Sequence, residues 1–354
     1  MILSTHFQQS EPQTAKYDLY FITSPYQISN MVHRTKVPTP FPVGDVNCYL
    51  IDGDPLTLID VGPKMDESLD ILRAGVREAG HDLGDVRQVL LTHGHVDHIG
   101  LAAQILREAR ASGGDGMSVL VHSEDLIRVA DYEEFTEQRM GSYVRIMKDS
   151  GVPASDMPKV SEKLLSKYFT GLGESVPEAR GLQDGDTIRT GIGDMKVLWV
   201  PGHSQGSVCF VSKKNKLVFS GDHVLLGISS NPSMDFDVTT EIPMVTHMKS
   251  LERMRALKGY SVLPGHREPI SDLAGRLDEL AAEYRRKLLQ AEQLLGSTPK
   301  TVYDISRAIY GDYDAQSMVL ALAECHDLLR ILERGGLATL ETSSGIVCVR
   351  KPRR

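Results

Sequence analysis

Within nine residues, Thr92-His93-Gly94-His95-Val96-Asp97-His98-Ile99-Gly100, the chain gathers three imidazoles and a carboxylate. The run before it, Val86 to Leu91, is a buried-looking strand, and Ile99, Ala102, Ala103, Ile105 and Leu106 repeat at helical spacing after it. The four polar side chains therefore share one strand-to-helix turn. Packed into an apolar core they would leave several polar atoms to satisfy. Imidazole and carboxylate are instead ligands suited to Zn²⁺, Fe or Mn²⁺. One such histidine would read as structural; a cluster on one loop reads as a metal site.

Three further candidates fall at the ends of other strands. His203 stands in Pro201-Gly202-His203-Ser204 after the strand Lys196 to Val200. Asp222 stands in Ser220-Gly221-Asp222-His223 after Leu217 to Ser220, and His266 in Leu263-Pro264-Gly265-His266 after Ser261 to Leu263. Each follows a glycine, which lets the backbone turn sharply and leaves the side chain at the strand mouth. His122 ends a strand and reads as structural or as a supporting group. His223 reads as lining the pocket without being a ligand. His6, His33, His81, His247 and His326 have no motif around them, and Trp199 reads as core.

The rest of the chain alternates strands and helices, a pattern of helices packed on sheet faces. Val46 to Asp52 and Leu56 to Val61 flank Gly53-Asp54-Pro55, a hairpin signal. Leu69, Ile71, Leu72 and Val76 carry amphipathic spacing. Residues 124–180 break the β-rich pattern and read as a helical insertion, with Phe135, Met140, Tyr143 and Met147 as apolar points. From Asp272 a long helix runs to about 295, followed by a short helix from Thr301 to Ile309 and a third helix over 315–334. Two strands, Leu337 to Glu341 and Gly345 to Arg350, close the chain. That order outlines a winged helix, so the expected domains are 1–271 and 272–354.

Composition excludes several classes. Hydrophobic residues at 41% and charged residues at 24% argue against a largely disordered chain. No apolar run approaches the ~20 residues that cross a bilayer, and the polar N-terminus lacks a signal-peptide core. Cys48, Cys209, Cys325 and Cys348 lie far apart, so neither a disulfide scaffold nor a zinc knuckle is expected, and a cytoplasmic location follows. The net charge of −8 gives no general attraction to nucleic acid or anionic membrane, without deciding against a local basic groove. The segment 272–354 is neutral, with 12 basic and 12 acidic residues. Its third helix sets Arg330 and Arg334 against Glu324, Asp327 and Glu333, where a DNA-reading helix would show a basic face. The tail is expected to pack, dimerise or shape a pocket. A homodimer is one expectation.

The set HxHxDH, a later His, a GD and a final GH resembles the metallo-β-lactamase fold superfamily, over roughly Tyr49 to Glu268. The resemblance implies an αβ/βα sandwich with a dinuclear site at one edge. It implies that His93, His95 and His203 hold one divalent ion, that Asp97, His98 and His266 hold the other, and that Asp222 bridges them. Zn²⁺ is the first expectation for both ions, with Fe or Mn compatible. A bridging water made acidic by two cations would supply hydroxide near neutral pH. Asp97 is expected to orient it and relay a proton as well as to bind metal. Asp60, in Leu58-Ile59-Asp60-Val61-Gly62, looks like the superfamily's supporting carboxylate that orients a ligand histidine; a plain turn residue is the competing reading.

Departures narrow the activity. Class B1 lactamases carry cysteine where Asp222 stands, the β-CASP nucleases carry a different inserted domain, and the terminal Lys351-Pro352-Arg353-Arg354 does not reproduce the glutathione grip of glyoxalase II. The words around Gly221–Leu225, Ile228–Pro232, Ser250–Arg253 and Thr301–Ile305 resemble a subgroup of β-lactamase-like hydrolases that end in a winged helix. That resemblance implies hydrolysis of a small ester, thioester or lactone, with the helical insertion shaping an apolar pocket for an acyl substrate. Two alternatives remain: a single-stranded RNA endonuclease, and a non-enzymatic metal-containing regulatory protein that uses its winged helix.

Overall fold

Alternate residues along the central strands serve different layers, and this decides the architecture. In Val46–Ile51, Val46, Cys48 and Leu50 face one apolar cluster while Tyr49 and Ile51 face another. A computed structural model describes residues 30–113, 116–157, 162–235, 239–313 and 315–353. The N-terminal stretch and His6 lie outside the described residues.

The first sheet orders β1 (Val32–Val37), β2 (Val46–Ile51), β3 (Thr57–Ile59), β4 (Gln88–Leu90), β5 (Ser118–His122) and β6 (Arg180–Leu182) side by side. Pairing is antiparallel from β1 to β3 and parallel from β3 to β6. The second sheet runs β7 (Thr187–Ile188), β8 (Met195–Trp199), β9 (Val208–Ser212), β10 (Leu217–Gly221) and β11 (Ser261–Pro264), with only β10 and β11 parallel. Their inner faces meet through Tyr49, Ile59 and Leu90 on one side and Val197, Phe210, Phe219 and Leu263 on the other. Tyr49 and Phe219 touch edge to face, their ring centres 5.3 Å apart.

Helices cover both outer faces. The first sheet packs on α1 (Asp66–Glu78) and α3 (Ala102–Ala111), through Leu72, Val76, Ile105 and Leu106. A one-turn helix, α2 (Val96–Ile99), precedes α3. The single helix expected from about Ile99 thus begins three residues earlier and is broken near Gly100. The close approach of neighbouring backbone at that point requires glycine: a Cβ at Gly100 would lie 2.3 Å from the Leu172 carbonyl oxygen and 2.5 Å from the Lys64 nitrogen. The expected helical segment contains α4 (Leu126–Ala130), α5 (Tyr132–Asp149) and α6 (Glu162–Thr170).

On the far side, α7 (Pro243–Met254), α8 (Leu273–Leu294), α9 (Val302–Tyr310) and α10 (Ala315–Arg334) share one apolar cluster with the second sheet. Asp272 caps α8 by accepting from the Gly275 amide at 3.0 Å, and Thr301 and Asp304 form a reciprocal capping box on α9. A third sheet orders β12 (Lys300–Thr301), β14 (Ile346–Arg350) and β13 (Thr339–Ser343). The helix α10 buries Leu322, Cys325, Leu328, Leu329 and Leu332. Lys287 of α8 reaches Glu324 at 2.9 Å, and the Asn231 amide donates to the Leu320 carbonyl at 3.0 Å. Among the described residues no helix is long and apolar enough to cross a membrane.

Asp327 of α10 is buried in this interface. Its Oδ2 accepts from Ser233 Oγ and from the Met244 amide, both at 2.9 Å, while Oδ1 has no hydrogen-bond partner. Burial outweighs those bonds and the nearby Arg330, and pushes the carboxyl up to about 6. An acid with a raised native pKa stabilises the fold while protonated, and that contribution is lost as pH rises through about 6. Asp327→Asn keeps an accepting oxygen and cannot ionise. Relative to wild type, the variant should therefore gain roughly 1–2 kcal/mol in urea unfolding between pH 5 and pH 8. A difference independent of pH would overturn this.

Candidate metal centre

All the candidate ligands arrive at the same sheet edge. The turn after β4 brings His93 and His95, α2 brings Asp97 and His98, and the ends of β8, β10 and β11 bring His203, Asp222 and His266. Their ligand atoms fall into three overlapping groups: His93, His95 and His203; His93, His98 and Asp222; and Asp97, His98 and His266. Within each group they lie within 4.8 Å of one another. Asp222 is central. Its Oδ2 is 3.7 Å from His203 Nε2 and 3.5 Å from His266 Nε2, and its Oδ1 is 3.5 Å from His98 Nε2. Asp97 Oδ2 is 3.4 Å from His266 Nε2.

The rings are held from behind. His266 Nδ1 lies 2.8 Å from the Asp45 carbonyl oxygen, and His203 Nδ1 lies 3.1 Å from that of Asn231. A carbonyl only accepts, so both rings carry a proton on Nδ1 and turn Nε2 inward. His98 Nδ1 donates to Asp60 Oδ2 at 2.8 Å. Asp60 also accepts from the Thr92 hydroxyl and the Thr92 amide, each at 2.8 Å, and Thr92 Oγ1 lies 3.1 Å from His93 Nδ1. Asp60 is thus a buried orienting carboxylate. Its φ of 55°, in the left-handed region, aims it at that task.

The donor set fits divalent metal on an observation of its own. His98 Nε2, His203 Nε2, His266 Nε2 and Asp222 Oδ1 are buried without a hydrogen-bond partner, and all four point into the cluster. Buried polar atoms are ordinarily paired. The electrostatics agree. Burial and the neighbouring imidazoles hold His93 and His95 well below the usual histidine range, so both are neutral donors. Burial would raise Asp97 and Asp222, but the His98 and His266 charges outweigh it and keep both carboxyls ionised. Burial likewise opposes charging His98 and His266, and the surrounding carboxylates overcome it. The cavity is built for positive charge.

Among the described residues the other histidines stay outside. His122 stacks on Trp199, their ring centres 5.2 Å apart, with Trp199 half-buried at the core's edge. His223 and His247 pack ring to ring, 4.8 Å apart, and His247 lies against Gly202. Sequence reasoning missed the carbonyls of Asp45 and Asn231, because a backbone acceptor carries no residue signature. It also missed Asp125, Arg128 and Asp235, charged residues most of whose partners lie far away in the chain.

Fold and site together define a metal-dependent hydrolase. The profile of the metallo-beta-lactamase superfamily matches residues 41–266, and the chain belongs to that superfamily. It is 28% identical over 305 residues to the probable metallo-hydrolase YqjP of Bacillus subtilis (strain 168), covering 84% of this chain and 91% of that protein. It is 30% identical over 247 residues to the acyl-coenzyme A thioesterase MBLAC2 of Gallus gallus, covering 68% and 78% respectively. The crystal structure of a metallo-beta-lactamase family protein from Thermus thermophilus superposes with a TM-score of 0.78 at 24% identity, over 92% of this chain and 99% of that one.

Proposed function

We propose that the chain hydrolyses a small thioester or related ester at a dinuclear centre, with His93, His95 and His203 holding one divalent ion, Asp97, His98 and His266 the other, and Asp222 shared. The observation that carries this reading is the convergence of seven candidate ligand side chains, with four buried inward atoms, on His98, His203, His266 and Asp222, that lack a hydrogen-bond partner. Bound metal would make water nucleophilic at neutral pH and polarise the acyl oxygen. Asp97, held ionised, accepts a proton at its carboxylate and returns it to the leaving group. Asp60 and the two backbone carbonyls fix the imidazoles, so little reorganisation accompanies the reaction.

Thioesters are favoured over other acyl groups because a relative over two thirds of the chain is named an acyl-coenzyme A thioesterase. We read the aromatic group of Phe41, Phe169 and Tyr132 as the site of an apolar acyl arm, since the Asp97 charge acts on Tyr132. Phe41 stacks on Phe169 at 6.0 Å, and Tyr132 donates to the Phe169 carbonyl at 2.5 Å. Phe41 lies four residues before Asp45, whose carbonyl holds His266. The C-terminal segment reads as a winged-helix-like unit whose long helix is engaged in packing, which supports a structural role over groove reading. We read the protein as cytoplasmic.

The test is hydrolysis by the purified zinc-loaded chain of acyl-coenzyme A thioesters, aryl esters and lactones, with single-stranded RNA alongside. Thiol release from the thioesters, abolished by chelator and restored by metal, is the expected result. Inactivity across the acyl panel with robust RNA cleavage would overturn it.

A further inference from the structure

Three of the ligands, His93, His95 and His203, sit on two loops that descend from different sheets. One buried carboxylate grips both loops. Asp125 lies in the turn after β5, at 0% exposure. Its Oδ2 accepts from the Gly94 amide at 2.7 Å, in the peptide between His93 and His95, and from Ser204 Oγ at 2.5 Å, the residue after His203. Its Oδ1 accepts from the Gly206 amide and from Arg128 Nε, both at 3.0 Å. Four donors occupy the roughly four lone-pair positions of one carboxylate.

Arg128 extends the grip. Its Nη2 lies 2.5 Å from Asp235 Oδ1, and Asp235 Oδ2 accepts from the Gln205 amide at 2.8 Å. Residues 204, 205 and 206, next to His203, are thus each tied to this buried pair of carboxylates. The packing is equally close: a Cβ on Gly94 would lie 2.4 Å from Arg128 Cδ, and one on Gly206 would lie 2.5 Å from Asp125 Cβ and Cγ. Asp60 binds His98 of the other half directly, reaches His93 only through Thr92, and makes none of these contacts.

We propose that Asp125, supported by Arg128, is the positioning residue of the His93–His95–His203 half of the centre, setting the separation of the two ligand loops and hence that half's metal affinity. This rests on the metal centre proposed above. Buried ion pairs add little net stability, whereas loss of a group that orients metal ligands costs about 10–100-fold in affinity. A general structural staple would weaken the fold and both halves alike. A positioning residue weakens one half.

The experiment titrates zinc on the full-length chain against a competing chelator, for wild type, Asp125→Asn and Arg128→Lys. The wild type should show two classes of bound metal. In Asp125→Asn one class should weaken about 10–100-fold while the other is unchanged. Arg128→Lys, which cannot reach both carboxylates, should show a smaller loss in the same class. With cobalt in place of zinc, Asp125→Asn at one equivalent should give the visible spectrum of His203→Ala and differ from that of His266→Ala. If Asp125→Asn does not fold, Arg128→Lys and Ser204→Ala carry the same test. Unchanged affinities in folded variants, or equal weakening of both classes together with a lowered unfolding midpoint, would overturn the inference. A wild-type chain that retains no metal overturns the proposed centre itself and this inference with it.

Discussion

Asp97→Ala is expected to lower kcat for thioester hydrolysis by about 10²- to 10⁴-fold, the range for removing a positioned proton-transfer group. Asp97 is nearly buried, and its Oδ2 is 3.4 Å from His266 Nε2 at the centre's inner edge. The positive fields of His98 and His266 outweigh burial and keep it ionised, so it can accept a proton at neutral pH. Alanine removes both that acceptor and one ligand. Asp97→Asn retains the shape and an oxygen ligand but loses the base, so its loss should fall chiefly on kcat while bound metal stays close to wild type. Kinetics measured beside the metal content of each variant separate the two contributions. An alanine variant with near wild-type kcat would remove Asp97 from the chemistry.

Gly265→Ala should disrupt the centre without touching a ligand. A methyl group there would stand 2.4 Å from Asp222 Oδ1 and 2.7 Å from His98 Cε1. Neither neighbour can withdraw easily, since His98 is pinned to Asp60 and the Gly265 amide donates to the Gly221 carbonyl at 2.8 Å. The Gly265 carbonyl in turn accepts from the Asn47 amide at 2.6 Å. Overpacking of this kind costs about 1–3 kcal/mol, and here the strain falls on Asp222, the ligand proposed to be shared. Metal per chain and the urea midpoint should both drop. Gly116→Ala, where a Cβ meets open space, is the control and should be neutral. Wild-type metal content in Gly265→Ala would show that the ligand cluster can shift to accept the methyl.

The candidate ligands were legible in the sequence because packing alone does not explain their positions: His93, His95, Asp97 and His98 crowd one strand-to-helix turn, and His203, Asp222 and His266 each stand one residue beyond a glycine after an apolar strand. Strands such as Val46–Ile51 and helices such as α9 were legible for similar local reasons, namely apolar runs bounded by turns and caps. Val32–Val37 was not, because His33, Arg34, Thr35 and Lys36 give an edge strand no apolar signature. The helix Pro243–Met254 was also missed as an element, since its buried positions include His247 and Ser250. Asp125 and Asp235 could not be found this way. Nothing around either acid in the sequence marks it, because the amides that give it meaning, Gly94 and Gly206 for Asp125 and Gln205 for Asp235, lie 30 or more residues away.

The strand order has a consequence for how the molecule is made. The first four ligands emerge within six residues, whereas His203, Asp222 and His266 come from strands laid down later. A chain still being synthesised therefore holds an incomplete chelate until β11 docks beside β10, and only that last docking step supplies His266. In the proposed centre, tight retention of metal would then certify completed folding, since a half-built or mispaired chain would lack the side chains to keep its ions.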